Sequence, residues 1–474
     1  MDKLSGILQA RFGHTTFRAG QQEIIEQILD KKDVIAILPT GMGKSLLYQL
    51  PAYLMDGTVI IVSPLLSLMQ DQVEQLKILG EKRVIAINSF LSFQEREIAI
   101  RHLANYKFIF TSPEMLQNEQ FHLALRNLSI AYIVADEAHC ISQWGFDFRP
   151  DYLRISNWLQ SMKAVNVLAL TATATGEVVE DIKKTLRMKT PFEYIHSLDR
   201  PAIAYETVEV ENQQQKLKWI LGRVTSSEGP GIIYTQSRKK TETYAALLRE
   251  QGISVGFYHA KMEQGDRILI QQQFQQGQLE WICATNAFGM GIHKDNIRQI
   301  IHDHIPSSVA GYMQEVGRAA RDGEQAIASL LYTTTDVEQT FYVAMQDFPE
   351  EQDIQIAYQP AYSEVEQAET TTRILAYWKE RLSEQATIEL FKEIKQKKWQ
   401  DIQKFYTMLR NDTCLRQQLL QYFDQVLLEK PSYCCSKCKL DLAGILRKRT
   451  VENKFEENKN WKDRLNILLP SKYI

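Results

Sequence analysis

The stretch Ala135-Asp136-Glu137-Ala138-His139-Cys140-Ile141-Ser142-Gln143-Trp144-Gly145-Phe146-Asp147-Phe148-Arg149-Pro150 joins an apolar run to a loop rich in aromatic residues. Asp136 and Glu137 stand at the carboxyl end of the apolar run. A carboxylate in that place can hold a magnesium ion through water, and its neighbour can polarise the water that attacks a phosphate. The first half of the stretch therefore predicts nucleotide chemistry. The aromatic second half predicts contact with a nucleic-acid strand.

A glycine-rich turn precedes this stretch in the chain. Leu38-Pro39-Thr40-Gly41-Met42-Gly43-Lys44-Ser45 follows an apolar run and opens a helical pattern from Lys44 to Met55. Backbone N–H groups of such a loop cradle phosphates, its lysine reaches the terminal ones and its serine binds magnesium. Leu38 stands where the strict pattern has glycine, so the match is to the shorter form. A bare helix entry is the alternative. The nucleotide-binding candidates are Thr40, Gly41, Met42, Gly43, Lys44 and Ser45.

Short β-branched runs alternate with helical patterns in two successive regions. The first has runs at 34–38, 58–62, 84–87, 107–111, 131–135 and 165–170, and the second at 231–235, 253–258, 280–284, 299–303 and 327–332. Uninterrupted apolar strands are typical of parallel sheets with helices on both faces. The sequence therefore predicts two similar α/β halves in tandem with a cleft between them. From about Asp336 to Leu428 the pattern is helical and charged.

Two arginines stand close together near the end of the second half. Arg318 and Arg321 are three residues apart, a spacing that predicts one helical face. A pair of this kind can reach a terminal phosphate from the facing half and stabilise the charge of the transition state. A surface helix turn with a salt bridge to Asp322 is the alternative.

Composition limits the class of protein. The chain has 474 residues, 44% of them hydrophobic and 24% charged, with a net charge of −3. This length predicts two or more domains. No apolar run is long enough for a membrane span, and the N-terminus lacks the features of a signal peptide, so a cytoplasmic protein without a membrane partner is expected. With so small a net charge, a nucleic-acid partner would require a local basic surface.

Cysteines indicate a metal site. Four of the six cysteines crowd near the end of the chain, at Cys414, Cys434, Cys435 and Cys438. In a reducing compartment such crowding favours metal over disulfides, and four thiolates suit tetrahedral zinc. Free buried cysteines are the alternative. A zinc ion here would organise a helical hairpin from Trp399 onward.

The order and spacing of these motifs resemble those of RecQ-type DNA helicases of helicase superfamily 2. The stretches that carry the resemblance are Phe17–Gln21, Lys44–Ser45, Val62–Gln72, Thr111–Glu114, Asp136–His139, Leu170–Ala174, Tyr234–Thr235, Ala284–Ile292, Gln314–Arg321 and the cysteine cluster. The resemblance places Arg18 and the base-reading Gln21 at the nucleotide. It implies catalytic roles for Lys44, Asp136, Glu137, Arg318 and Arg321, and magnesium held by Ser45 and Asp136.

The resemblance also implies an architecture and an activity. Two RecA-like domains are expected over 1–200 and 201–340, a helical zinc-binding domain over 341–440 and a tail over 441–474. The implied cofactors are ATP, Mg²⁺ and Zn²⁺. The implied activity is movement from 3′ to 5′ on single-stranded DNA and unwinding of duplex or branched DNA in recombination and repair. A monomer in the cytoplasm, or at the nucleoid of a bacterium, with single-strand-binding or recombination proteins as partners, is expected.

The aromatic loop is the most specific part of the resemblance. Trp144 and Phe148 are expected to stack on bases, and Arg149 to take a phosphate. The alternative is that these side chains pack as a lid. Four residues depart from the family pattern: His14 before the adenine motif, Phe146 for a histidine of the aromatic loop, His293 for an Asn or Asp, and Ala320 for a glycine between the two arginines.

Other functions remain open at this level. Too few residues follow Cys438 for the winged-helix and further helical modules of larger relatives, which are therefore expected to be absent. The expected absence of these modules, together with Phe146, leaves a second function open. In that function the protein binds or anneals DNA, and ATP only switches its conformation. An RNA helicase shares the twin halves, but the aromatic loop and the cysteines argue against it. The tail, with Arg447-Lys448-Arg449 and Trp461-Lys462, could touch DNA or form a partly helical appendage.

Overall fold

The first half of the chain forms a seven-stranded parallel sheet. The computed structural model describes residues 3–64, 66–88, 90–142, 150–162, 165–289, 294–346, 348–359 and 369–449. The strands are β1 Val34–Ile37, β2 Thr58–Val62, β3 Val84–Ile87, β4 Phe108–Thr111, β5 Ile130–Ala135, β6 Val167–Thr171 and β7 Phe192–Ile195. Their order across the sheet is β3-β4-β2-β5-β6-β1-β7.

Both faces of this sheet are buried, which is why its inner strands read as continuous apolar runs. Ile35 and Ile60 pack on one face, whereas Val34 and Val59 pack on the other. The helices are α1 Lys3–Phe12, α2 Gln21–Leu29, α3 Lys44–Gln49, α4 Leu66–Ile78, α5 Phe93–Arg101, α6 Glu119–Arg126, α7 Pro150–Leu153, α8 Ile155–Ser161 and α9 Gly176–Thr185. The carboxyl ends of the strands, where ligands bind in such sheets, carry the phosphate loop and Asp136.

The helix that begins at Lys44 is shorter than the sequence pattern predicts. It ends at Gln49, and a 3₁₀ turn over Pro51–Tyr53 follows. Pro51 lacks the N–H that an α-helix would use there, so the regular hydrogen-bond pattern cannot continue through it. The prediction of a helix from Lys44 to Met55 was therefore wrong in its second half.

The second half forms a six-stranded parallel sheet. Its strands are β8 Ile203–Glu209, β9 Gly231–Tyr234, β10 Val255–Tyr258, β11 Trp281–Ala284, β12 Gln299–His302 and β13 Ala326–Tyr332, in the order β10-β11-β9-β12-β13-β8. Its helices are α10 Gln213–Ser226, α11 Arg238–Glu250, α12 Gln264–Gln275 and α13 Val309–Val316. The two tandem parallel-sheet domains expected from the sequence, both RecA-like, are confirmed.

Two strands escape the sequence pattern, and both lie at sheet edges. β7 pairs only with β1, and β8 pairs along its length with β13. The β7 residues are at most half-buried, and β8 ends in Glu206-Thr207-Val208-Glu209, so neither forms a continuous apolar run. An edge strand has a neighbouring strand on one side only, so it tolerates polar residues. These residues interrupt the apolar pattern from which a strand is predicted.

A helical region completes the described chain. It contains α14 Asp336–Met345, α15 Glu351–Tyr358, α16 Glu369–Lys379, α17 Glu384–Arg410 and α18 Leu415–Gln421. The first arm of the hairpin expected from Trp399 is longer than predicted, because α17 begins where the Ser383 side chain accepts a hydrogen bond from Ala386 N. Among the described residues, no helix combines the length and apolarity needed to cross a membrane.

The beginning of the predicted tail packs on the second sheet domain. Arg449 forms an ion pair with Glu280 at 2.7 Å and donates a hydrogen bond to Ser227 O. The backbone of Lys448 forms an isolated antiparallel β-bridge with Ser227. No α-helix follows α18 as far as residue 449. The basic side chain of Arg449 is therefore used inside the protein, and Trp461 and Lys462 lie outside the described residues.

Candidate functional site

A cavity of about 330 Å³ opens between the two sheet domains. The first domain contributes the phosphate loop and the end of β5, and the second contributes the loop after α13. The lining residues include Arg18, Thr40, Gly41, Gly43, Lys44, Ser45, Asp136, Glu137, Asp295, Gln314, Arg318 and Arg321. The structure thus brings together candidate site residues of the two halves that lie far apart in the sequence.

The phosphate loop needs glycine at two positions. Gly41 and Gly43 have φ angles of 89° and 73°, in the left-handed region that disfavours side chains. A Cβ on Gly43 would also lie 2.7 Å from Gln21 Nε2. The Lys44 ammonium beside this loop is buried without a hydrogen-bond partner among the described residues. A buried cation in that state requires an anion, and the phosphates of a nucleotide fit that requirement.

Arg18 and Gln21 hold the phosphate loop by its backbone. The Gln21 side-chain amide donates to Met42 O at 3.0 Å, and the Arg18 guanidinium donates to Gly41 O. Gln21 also accepts a hydrogen bond from Arg18 N at 2.9 Å. Both residues sit beside the site as the sequence predicted. Their side chains here orient the loop, and base reading by Gln21 stays a prediction.

The carboxylates of Asp136 and Glu137 sit side by side at the end of β5. Asp136 accepts a hydrogen bond from Glu137 N at 3.0 Å. Burial, with repulsion from Glu137, raises the pKa of Asp136 to about 7, although Lys44 opposes the shift. A cation at this point would favour the charged form of both groups. Magnesium takes oxygen ligands, so Asp136 and Ser45, which line the same cavity, fit that ion.

Glu137 is connected to the neighbouring strand through His139. The Glu137 carboxylate lies 3.4 Å from His139 Nδ1, and the same nitrogen lies 2.8 Å from Thr171 Oγ1. Thr171 in turn donates to Thr173 O at 3.1 Å. Glu137 itself has a φ of 47°, a strained conformation of the kind that occurs at functional sites. The end of β5 is thereby joined to the loop after β6.

Arg318 and Arg321 enter the cavity from a loop. The prediction of one helical face was wrong, because α13 ends at Val316 and both arginines follow it. Arg318 is buried and donates to Gly289 O. Burial and the neighbouring Arg318 lower the pKa of Arg321 to about 10. The proposed salt bridge to Asp322 is not formed by either arginine, since Asp322 pairs with Arg298.

Ala320 explains why glycine is typical between these arginines. Its φ is 54°, in the left-handed region. Alanine in that conformation costs roughly 1 kcal/mol more than glycine. Its carbonyl accepts a hydrogen bond from Arg200 at 2.9 Å, which helps to hold the strained turn.

Sequence reasoning missed Arg200 as a site residue. Its guanidinium donates to Gly317 O at 3.1 Å and Ala319 O at 3.1 Å, and lies 3.4 Å from Thr40 O. The Thr40 hydroxyl also donates to Gly317 O at 3.0 Å. Arg200 therefore ties the phosphate loop to the arginine loop. Its one sequence signal is its position directly before Pro201, in the segment between the predicted strands of the two halves.

The four clustered cysteines converge as predicted. Their sulfur atoms all lie within 4.8 Å of one another. Cys414 and Cys434 are 3.5 Å apart, as are Cys435 and Cys438. A tetrahedral zinc with Zn–S bonds of about 2.3 Å sets sulfur atoms about 3.8 Å apart, so the cluster fits zinc.

The cysteine cluster is fixed to the edge of the second sheet. Tyr205 N of β8 donates to Cys434 O at 3.1 Å. The buried Arg416 pairs with Asp199 at 2.5 Å and donates to Arg200 O at 3.1 Å. This connection places the cluster beside the junction between the two sheet domains.

The aromatic loop lies outside the described residues, so the DNA contacts of Trp144, Phe148 and Arg149 are untested, as is the effect of Phe146. The structure describes the residues on both sides of this loop. Ser142 donates to Asp181 at 2.5 Å on one side. On the other, the Tyr152 hydroxyl donates to Asp136 O at 2.7 Å. Both flanks of the loop are thus hydrogen-bonded to the first domain, the later one directly to Asp136.

Comparisons with known protein families agree with this geometry. Residues 18–182 match the model of the DEAD/DEAH box helicase family, and residues 212–323 match the helicase conserved C-terminal domain. The chain is 40% identical to the "Probable ATP-dependent DNA helicase RecS" of Bacillus subtilis, over 98% of each chain. It is also 40% identical to the ATP-dependent DNA helicase RecQ of Pasteurella multocida, over 70% of this chain and 52% of that protein. The chain therefore spans about half the length of that RecQ relative.

Solved structures share the fold at low identity. The helicase MrfA bound to DNA superimposes with a TM-score of 0.59 at 17% identity, covering 73% of this chain and 53% of MrfA. The DEAD-box helicase Mss116 bound to single-stranded RNA gives a TM-score of 0.59 at 17% identity, covering 85% and 90%. These likenesses show the tandem RecA-like arrangement.

Proposed function

Because the chain belongs to the RecQ-type family of ATP-dependent DNA helicases, we propose that it moves from 3′ to 5′ along single-stranded DNA and unwinds duplex or branched DNA in recombination and repair. The observation that carries the proposal is the cavity that Lys44 and Glu137 share with Arg318. Hydrolysis at such a site requires residues of both domains, so it can be coupled to their relative motion.

The residues that line the cavity have different roles in ATP hydrolysis, and each role follows from the charge of the side chain. Lys44 and the backbone N–H groups of the phosphate loop bind the phosphates, and Glu137 orients and polarises the attacking water. Arg318 and Arg321 stabilise the charge that develops on the transferred group. Magnesium, held by Ser45 and Asp136, would supply neutralisation of phosphate charge. Gln21 and Arg18 position the loop against the base and phosphates.

A small set of contacts joins the two domains across the cleft. Arg200 and Thr40 both bond Gly317, which joins the phosphate loop to the arginine loop. His139 joins Glu137 to Thr171. We propose that making and breaking these contacts moves the second domain relative to the first and advances the strand.

The remaining assignments are also proposals. The domains are taken as 1–200, 201–340, 341–440 and 441–474, since the first sheet ends at Ile195 and the second begins at Ile203. Zinc would be held by the four clustered cysteines. Single-strand-binding or recombination proteins are the proposed partners of a monomer. Its DNA substrate would place it in the cytoplasm, at the nucleoid of a bacterial cell.

The test compares duplexes with a 3′ or a 5′ single-stranded tail. ATP-dependent strand separation of the 3′-tailed duplex, with phosphate release that rises in step, is expected. Separation only of the 5′-tailed duplex would refute the polarity. DNA binding without steady-state turnover would favour a protein that ATP merely switches, and equal stimulation by RNA would favour an RNA helicase.

Trp144 gives a test of the aromatic loop. We expect Trp144→Ala to reduce the stimulation of ATPase by single-stranded DNA at least about fivefold, because a stacked base contributes about 1 to 3 kcal/mol. The measured quantity is the ratio of ATPase rates with and without oligonucleotide. Trp144→Phe retains a ring and should keep most of the stimulation. Full stimulation in the alanine variant would mean that the loop is a lid.

The cysteine cluster predicts bound zinc. The purified chain should contain about one zinc ion, and Cys438→Ala should lose it and unfold at least about 5 °C lower, because metal binding contributes folding energy. Cys438→His should retain zinc, since imidazole is a zinc ligand. Metal content and thermal unfolding are the measurements. A wild-type protein without zinc, purified in the absence of chelators, would contradict the assignment.

A further inference from the structure

Three neighbouring strands of the first sheet end at the same edge. Val62 of β2 and Ile87 of β3 both pair with Thr111 of β4. The residues that follow these strands, Ser63 and Asn88 among them, therefore lie in one row along the carboxyl edge, on either side of β4. In open parallel sheets this edge is where ligands bind.

Two hydrogen-bond donors at this edge have no acceptor among the residues that the structure describes. The Ser63 hydroxyl and the Asn88 side-chain amide nitrogen are buried, and neither has a partner within the described part of the chain. Buried donors in folded proteins are nearly always satisfied, so each exception calls for an absent partner.

An aromatic side chain projects from the same edge. Phe90, two residues after Asn88, is 44% exposed, and Phe93 at the start of α5 is 64% exposed. The two rings are three residues apart in the chain, and exposed apolar patches on a soluble domain commonly mark a binding surface. The Arg96 guanidinium lies 5.9 Å from the Phe93 ring centre, which adds a positive charge beside the rings.

The loop that carries Phe90 is held at both ends. Phe90 N donates to Asn88 Oδ1 at 2.9 Å, which fixes the turn directly after β3. At the other end, Ser92 and Glu95 form a reciprocal capping box that begins α5. A ring on so constrained a loop loses little conformational entropy when it meets a ligand.

We propose that Phe90 is a base-stacking residue for the single-stranded DNA bound along the carboxyl edge of the first sheet domain. The proposal rests on the proposed DNA-binding function and adds a contact that is separate from the aromatic loop at Trp144. The flat ring accepts any base, so it would bind the strand without reading its sequence. Phe93, three residues further along the chain, is a second exposed ring.

The test measures the affinity of the full chain for a fluorescent thymidine oligonucleotide of about 16 nucleotides, and for an abasic oligonucleotide of equal length. Phe90→Ala should weaken binding to the thymidine strand about 5- to 20-fold. Phe90→Trp should bind like the wild type, whereas Phe90→Leu should behave like Phe90→Ala, because leucine has apolar bulk but no ring. On the abasic strand, wild type and Phe90→Ala should bind alike.

The control is Ile98→Ala, which removes an exposed apolar side chain of α5 and should leave DNA affinity unchanged. Thermal unfolding of each variant verifies the fold. Wild-type affinity of Phe90→Ala or of Phe90→Leu would overturn the stacking role, and so would an equal loss on the abasic strand. If DNA-stimulated ATPase persists in that case, the proposed helicase function stands. A wild-type chain that binds no single-stranded DNA would overturn both.

Discussion

Lys44→Ala is expected to lower the DNA-stimulated ATPase rate by about 100-fold or more. The Lys44 ammonium is buried in the cavity and lacks a hydrogen-bond partner among the described residues, so phosphate is the anion it is placed to bind. Removal of one preorganised charge from a transition-state site typically costs two to three orders of magnitude in rate, about 3 to 4 kcal/mol. The measurement is steady-state phosphate release at saturating oligonucleotide.

Lys32→Ala is the matched control for this variant. Lys32 is exposed in the same domain and donates only to Gln27 on the surface, so its loss should leave the rate within about twofold. DNA affinity without nucleotide should be unaffected in both variants, which separates a defect in hydrolysis from one in folding. ATPase near the wild-type rate in Lys44→Ala would refute the assignment of the nucleotide site.

Arg318→Ala is expected to lower kcat by about 1,000-fold, with a smaller effect on KM. An arginine supplied from a facing domain contributes about three to five orders of magnitude to phosphoryl transfer. Its neighbour Arg321 is partly buried, and burial together with the proximity of the Arg318 guanidinium lowers the pKa of Arg321 to about 10. The two neighbouring cations repel each other, so an anion between the domains would relieve that repulsion. Single-turnover hydrolysis separates the chemical step from nucleotide binding.

Arg318→Lys distinguishes charge from geometry. Lysine keeps the positive charge but cannot reproduce the planar fork of hydrogen bonds, so a partial loss of kcat is expected. The surface residue Arg101, which pairs with Glu97, provides the control, and Arg101→Ala should retain activity. An unchanged kcat in Arg318→Ala, or a defect confined to KM, would contradict a transition-state role.

The sequence alone determined the features that depend on neighbours in the chain. The inner strands are buried on both faces and therefore read as apolar runs, which predicted both sheets. The phosphate loop is equally local, since its two glycines, Lys44 and the start of α3 follow one another. The ligand set of the cysteine cluster was also readable, because thiolates at such spacing have few other uses.

The tertiary structure decided how distant segments meet. Thr40 and Gly317 are 277 residues apart and bond directly, and Arg200 joins both loops. No local pattern encodes these contacts, because they depend on how two separately packed sheets face each other. The edge strand β8 and its hydrogen bond to Cys434 O could not be predicted from the sequence for the same reason. The sequence named the reacting groups, and the packing of the domains placed Arg318 opposite Lys44.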